Sequence, residues 1–255
     1  MLKGAMTTKA RVESYYAGAY WGPRKETAEE CARRTATFLD ALSRYDSFLA
    51  EWFKPAKSLK DARKYRLMPP DLAALAELFS AGVNRADAGG VIERLGFGFW
   101  FDNGGPDGDV AELRIHCGGY SDAVPNSCVL TLPRKGQNAE RLLTAQALAA
   151  IVRAMVSPWE PDWAFATSYD YYQENRKAAS DPFSLGWVTY LSNRIGGVPP
   201  LPAPVRIEPV EGKGTLIVLT PERFTASNPE HVALAERVRE LLDRAGLLKP
   251  LQAQP

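Results

Sequence analysis

The clearest signal along the chain is a stretch where apolar residues recur at every second position. "GFGFWFDN" (96–103) puts Phe97, Phe99 and Phe101 on one side of an extended strand and Trp100 on the other. "GGPDGD" follows with turn chemistry, and "VAELRIHC" resumes the alternation with Leu113, Ile115 and Cys117 facing one way. After "GGYSDAVPN" comes a third extended run, "SCVLTLP". Three such runs joined by turns predict a meander in which 95–102, 110–117 and 127–132 are consecutive antiparallel neighbours.

Elsewhere the period lengthens to that of a helix. From Thr27 to about Phe53, the residues Cys31, Thr35, Phe38, Leu42, Tyr45, Leu49 and Trp52 recur at helical spacing, and Pro55 ends the run. Thr27 and Glu30 form a capping box, in which each side chain satisfies the other residue's otherwise orphaned backbone donor. A basic connector, "KSLKDARKYR", leads to Pro69-Pro70. A short helix then starts at Asp71 and closes near Gly82. "NAERLLTAQALAAIVRAMV" reads as one helix, with Leu148, Ile151, Val152 and Met155 on its buried side. The last helix is capped by Asn228, takes Pro229 at its first position, carries Leu234, Val238, Leu241, Leu242 and Ala245 as its stripe, and stops at Gly246.

The remaining segments read as a first strand in "RVESYYAGAY" (11–20), a strand centred on Phe165, a helical "YDYYQENRK", and the strands "GWVTYLS", "RIEPV" and "GTLIVLT". "VPPLPAPV" must be extended and stiff. Strands gathered in runs between helices predict an α+β fold with a mostly antiparallel sheet flanked by helices. The expected organisation is a single compact domain over 11–248, with flexible termini at 1–10 and 249–255.

Composition narrows the function. With 31 basic and 30 acidic residues the formal charge is +1, so no broad basic field exists to hold nucleic acid directly. No window approaches about 18 consecutive apolar residues, so no spanning helix and no membrane role are expected. Three cysteines and no apolar leader at the first residues fit a reducing compartment, the cytoplasm.

Candidate chemistry is sparse. His116 and Cys117 are neighbours on a predicted strand and point to opposite faces, so they cannot form a dyad with each other. His231 sits in the first turn of the final helix, and Cys117 and Cys128 read as small core residues. The two histidines and the cysteines lack zinc-ligand spacing, and "DNGGPDGDVAE" lacks the spacing and final glutamate of a calcium loop, so no metal is expected. No glycine run has the pattern of a phosphate cradle, and no cofactor is implied. The weight therefore falls on a binding protein rather than an enzyme.

Several stretches taken in order carry a resemblance: "YYAGAYWGPRKETAEECARR", "GFGFWFDNGGPDGD", "IHCGGYSDAVPNSCVLTLP", "AMVSPWEPDW" and "KGTLIVLTPERF". Together they resemble the immunity protein 52 family, over about Arg11 to Leu248. The resemblance implies a cytoplasmic antidote that binds a cognate bacterial toxin without turnover. It further implies a nuclease toxin of restriction-endonuclease-like fold, delivered by type VI or another contact-dependent secretion. No catalytic residue is carried over.

An antidote to a basic nuclease is expected to concentrate acid locally. Between 101 and 122 stand Asp102, Asp107, Asp109, Glu112 and Asp122 against the single Arg114, with Tyr120 as an aromatic among them. These six, Tyr120 included, are the expected toxin-binding residues. Trp21, in "AYWGPRKETAEE", is expected to close the first strand onto the helix, with Arg24 and Lys25 as the exposed part of that loop. Two other readings stay open: a small hydrolase or nuclease using the carboxylates near Asp102 and Asp109, and an adaptor that loads the toxin for export.

Overall fold

The first strand of the sequence lies in the middle of the sheet. In the computed structural model, which describes residues 12–54, 66–67, 71–175 and 184–248, β1 (Tyr15–Trp21) pairs antiparallel with β6 (Asn126–Thr131) on one side and β7 (Trp163–Ser168) on the other. The remaining strands are β2 (Trp52–Phe53), β3 (Arg66–Leu67), β4 (Phe97–Asp102), β5 (Glu112–Cys117), β8 (Val188–Ser192), β9 (Arg206–Val210) and β10 (Gly214–Val218). Among the described residues they form one ten-stranded sheet in the order β3-β2-β4-β5-β6-β1-β7-β8-β10-β9, with every pairing antiparallel. The expected α+β class and the β4-β5-β6 meander are both present.

Helices α1 (Ala28–Tyr45), α2 (Leu72–Ala81) and α4 (Ala145–Trp159) pack together against one face of this sheet. Helices α3 (Gly136–Leu142), α5 (Tyr169–Asn175) and α6 (Pro229–Arg244) complete the set among the described residues. The core beneath the packed helices holds Phe38, Leu42, Phe79, Phe101, Leu113, Ile115, Leu130, Leu148 and Val152, each at most 2 % exposed. Helix α1 begins with the predicted capping box, Thr27 accepting from the Glu30 N–H and Glu30 accepting from the Thr27 N–H.

The structure corrects two helix boundaries and one buried stripe. Helix α1 ends at Tyr45, not near Phe53, because Asp46 takes an extended conformation and its carboxylate caps the short turn Ser47–Leu49. Trp52 is buried through β2 instead, and Tyr45 is exposed. The stretch read as one helix over 138–156 is two. Leu143 leaves helical geometry, Thr144 caps α4 by accepting the Ala147 N–H, and the two axes meet at 76°. No single described helix is long and apolar enough to cross a membrane. In α6, Ala235, Val238 and Leu242 are buried, whereas Ala245 is exposed. Pro55, most of the basic connector, Pro69-Pro70 and residues 176–177 lie outside the described residues.

Candidate functional site

Directly paired residues on adjacent strands share a face, so the registers define what the second face of the sheet presents. Across β4-β5-β6-β1 that face consists of three rows. The first is Gly98, His116, Ser127 and Tyr20; the second is Trp100, Arg114, Val129 and Gly18; the third is Asp102, Glu112, Thr131 and Tyr16. The helix-covered side of the same strands is closed, but this side is open. Gly98 and Arg114 are exposed, His116, Ser127, Val129 and Thr131 are half-buried, and Trp100 is 42 % exposed.

Beyond β1 the same face closes over. Phe165, Thr189, Leu191 and Ile217 are buried there. The boundary is an aromatic wall. The Tyr20 ring stacks on Trp163 at 5.8 Å and on Phe165 at 5.5 Å, while Tyr16 meets Phe165 edge-on at 5.7 Å and the α5 residues Tyr169 and Tyr172 at 6.3 and 5.8 Å. Tyr20 lies back across position 18, where a Cβ would stand 2.6 Å from its hydroxyl; only glycine leaves that ring its place. Trp100 rises on the opposite side. Between their strands, β4 and β1, lies an open strip of sheet, a shallow trough three strand spacings or about 14 Å wide from backbone to backbone.

One end of the trough is a rigid knot of loops. Asn126, fully buried, accepts the Gly119 N–H at 2.8 Å and donates to the carbonyls of Gly22 at 2.8 Å and Gly119 at 2.9 Å. Each His116 ring nitrogen lies within hydrogen-bond distance of a carbonyl oxygen, Pro125 at 3.1 Å and Leu95 at 2.7 Å. Trp21 is core, 2 % exposed, stacked on Trp159 at 5.2 Å, with the Arg24 guanidinium 5.1 Å from its ring. Lys25 is exposed as expected, but Arg24 is half-buried. It donates to the Trp159 carbonyl and pairs with Glu26, and burial draws its pKa below the usual guanidinium value against the opposing pull of Glu26. Glu26 also binds Arg34, which reaches the Pro158 carbonyl at the end of α4.

The six expected binding residues do not form one patch. Asp102, Asp107, Asp109 and Glu112 sit at the β4-β5 turn, whereas Tyr120 and Asp122 stand in the β5-β6 loop at the other end of β5, roughly 20 Å of strand away. Asp102 accepts the Gly104 N–H and shares the third row with Glu112. Asp107 is exposed and pairs with Arg134 at 3.2 Å, and both Asp109 oxygens accept from the Asn138 amide at 3.0 Å. Glu112 lines a cleft of about 260 Å³ with Ser14, Asp107, Thr131 and Arg134. Lys25 lies 5.2 Å from the Tyr120 ring centre. Asp107 and Asp109 thus meet a cation, Arg134, from the loop after β6 and an amide, Asn138, from α3. The residues of this open face that sequence reasoning left out of the candidate site include Gly98, Trp100, Ser127 and Val129. The signal was there in the alternation, which placed Trp100 opposite the three core phenylalanines.

Cys31, Cys117 and Cys128 are buried and free, and burial pushes the Cys117 and Cys128 thiols well above the ordinary range. His116 faces away from Cys117 across the sheet. Among the described residues, no three His, Cys, Asp or Glu side chains converge on a point that could hold a metal ion.

Residues 13–251 match the family model of immunity protein 52. The chain belongs to the immunity protein 52 family. Membership of the immunity protein 52 family implies a cognate toxin as partner. A solved Pseudomonas aeruginosa structure, described as T6SS protein PA0821, is similar in fold, with a TM-score of 0.50 and 12% identity over 90% of this chain and 76% of that one. The search of curated proteins returned no match.

Proposed function

We propose that this immunity protein neutralises a nuclease toxin of restriction-endonuclease-like fold by stoichiometric binding in the cytoplasm, protecting its producer from a toxin delivered by type VI or another contact-dependent secretion. The observation that carries the reading is the family match across residues 13–251. The likeness in fold to a type VI secretion protein supports the delivery route. Three buried, unpaired cysteines fit a reducing compartment. Lethal partners demand slow release, so the complex is expected to be nanomolar or tighter, with dissociation setting the affinity.

The hydrolase reading finds little support in the geometry, since Asp102 is engaged by the Gly104 N–H and Asp109 by Asn138. The acidic turn is instead proposed as part of the contact surface, where Asp107 and Glu112 remain accessible to a basic partner. The test is coexpression with the C-terminal domain of the cognate toxin. Rescue of growth, a complex of fixed stoichiometry and suppression of nuclease activity in proportion to the antidote added are the expected results. Survival only at substoichiometric, catalytic levels would sink the reading, and so would failure to rescue despite complex formation, the outcome for a loading adaptor.

A further inference from the structure

We infer that the trough between Trp100 and the Tyr16–Tyr20 wall is the toxin-binding surface, and that it receives a convex segment of the toxin about one helix wide. The inference rests on the antidote reading and adds to it the place and chemistry of contact. A folded sheet ordinarily covers its apolar side chains, yet Trp100 stands 42 % exposed on the open face while Phe97, Phe99 and Phe101 turn into the core side. Beside Trp100 the floor is bare. A Cβ built on Gly98 meets nothing within 4 Å, so a partner can reach the backbone there. Tryptophan and arginine dominate binding energy at protein interfaces, and here they are cross-strand neighbours, Trp100 opposite Arg114.

The dimensions choose the shape of the occupant. A trough about 14 Å across accepts a helix of about 10–12 Å diameter with its side chains. With about 4.8 Å between strands and about 6.8 Å between same-face residues, the three rows span roughly 400 Å², half of what a stable interface takes from each partner. The contact must therefore run off both ends of the trough. Those ends are where the structure puts the acidic turn, with Asp107 and Asp109, and the loop bearing Tyr120 and Asp122. These four become the rim of one site anchored by Trp100, with Asp102 and Glu112 in its last row.

Charge argues for a toxin over a second copy of this chain. Arg114 makes no ion pair among the described residues, and it lies in the middle row of the face. A two-fold contact centred on the trough would bring two Arg114 guanidiniums together, which like charge disfavours. The toxin segment is therefore expected to carry a carboxylate for Arg114 and an apolar side chain for Trp100.

The probe is the C-terminal domain of the cognate toxin, titrated against the purified wild-type protein, W100A, R114E, and E77K on exposed α2 at the helix-covered side of the sheet. W100A should weaken binding about 30-fold or more and R114E about 10-fold or more, with E77K within about 2-fold. Melting temperatures should match wild type. Should W100A or R114E fold poorly, Gly98→Arg adds bulk to open floor without removing a contact, and it should block binding as strongly. If the wild-type protein does not bind, the antidote reading fails, and the surface with it. If the wild-type protein binds while W100A, R114E and Gly98→Arg all stay within about 2-fold of it, the trough is excluded and the antidote reading stands. Equal losses in E77K, or a wild-type dimer that W100A turns into a monomer, would also overturn the assignment.

Discussion

Replacing Asn126 with leucine tests whether the loop knot at the end of the trough is held by one side chain. The substitution keeps the approximate volume and removes three hydrogen bonds, to the Gly119 N–H, the Gly22 carbonyl and the Gly119 carbonyl. The Gly119 carbonyl keeps the Arg24 N–H at 2.8 Å, so it is not orphaned. The Gly119 N–H is left buried without a partner, and the Gly22 carbonyl is left half-buried. An unsatisfied buried group costs about 1–3 kcal/mol, and partial exposure of Gly22 puts it at the low end, so the total is about 2–4 kcal/mol. That is a large share of a typical stability of about 5–15 kcal/mol. For a chain of this size it corresponds to a fall in melting temperature of roughly 10 °C. Thermal melts and urea unfolding with an unchanged slope would measure it. Asn126→Asp retains the acceptor and loses both donors, so at neutral pH it should be no milder. A loss below about 1 kcal/mol in both variants would refute the assignment of the knot to Asn126.

Three further outcomes follow from the structure. Burial lifts Tyr15 and Tyr171 to about 12, above their unfolded value of 10.0. Their neutral forms therefore contribute stability that is full below pH 10.0 and is lost as pH rises toward 12, and Tyr171→Phe should flatten that alkaline decline in melts across the range. The Asp46 carboxyl is held below its usual 3.8 chiefly by Arg141, so its contribution is present above that value and disappears as pH falls through the lowered one. Arg141→Ala should accordingly destabilise at neutral pH and match wild type in strong acid. Gly18→Ala should destabilise by displacing Tyr20, whereas Gly98→Ala, opening onto solvent, should leave stability nearly unchanged; paired melting curves decide this.

Local rules made much of the fold legible. The capping box at Thr27, the Asn228-Pro229 start of α6 and the alternation through β4, β5 and β6 are each written within a few residues, so pattern alone places them. What pattern could not supply was the position of β1. Tyr15–Trp21 is an aromatic strand by composition, but its insertion between β6 and β7 is a long-range fact carried by packing. The Leu143 break failed for a related reason. Apolar residues continue through "RLLTAQAL" without a change of period, and only Thr144 gives the cap that starts a new axis. For the site, acidic residues were counted along the chain, while the structure meets them with Arg134 and Asn138 from elsewhere in sequence. Trp100 was placed on the correct face; its exposure depended on no described element covering that half of the sheet, which no local pattern encodes.

The central place of β1 has a consequence for how the molecule comes into being. The strand is translated early, but its two neighbours begin at Asn126 and Trp163, so it leaves the ribosome long before either exists to receive it. The β4-β5-β6 meander and the β8-β10-β9 group can each assemble from near neighbours, and β1 is the rivet that joins the two halves afterwards. Such non-local pairing is slow, and until it happens an aromatic segment stands unpaired and open to misassociation. A cell that translates an antidote of this design together with its toxin is shielded only once the chain has been released and closed, so the timing of the two gene products matters as much as the strength of their grip.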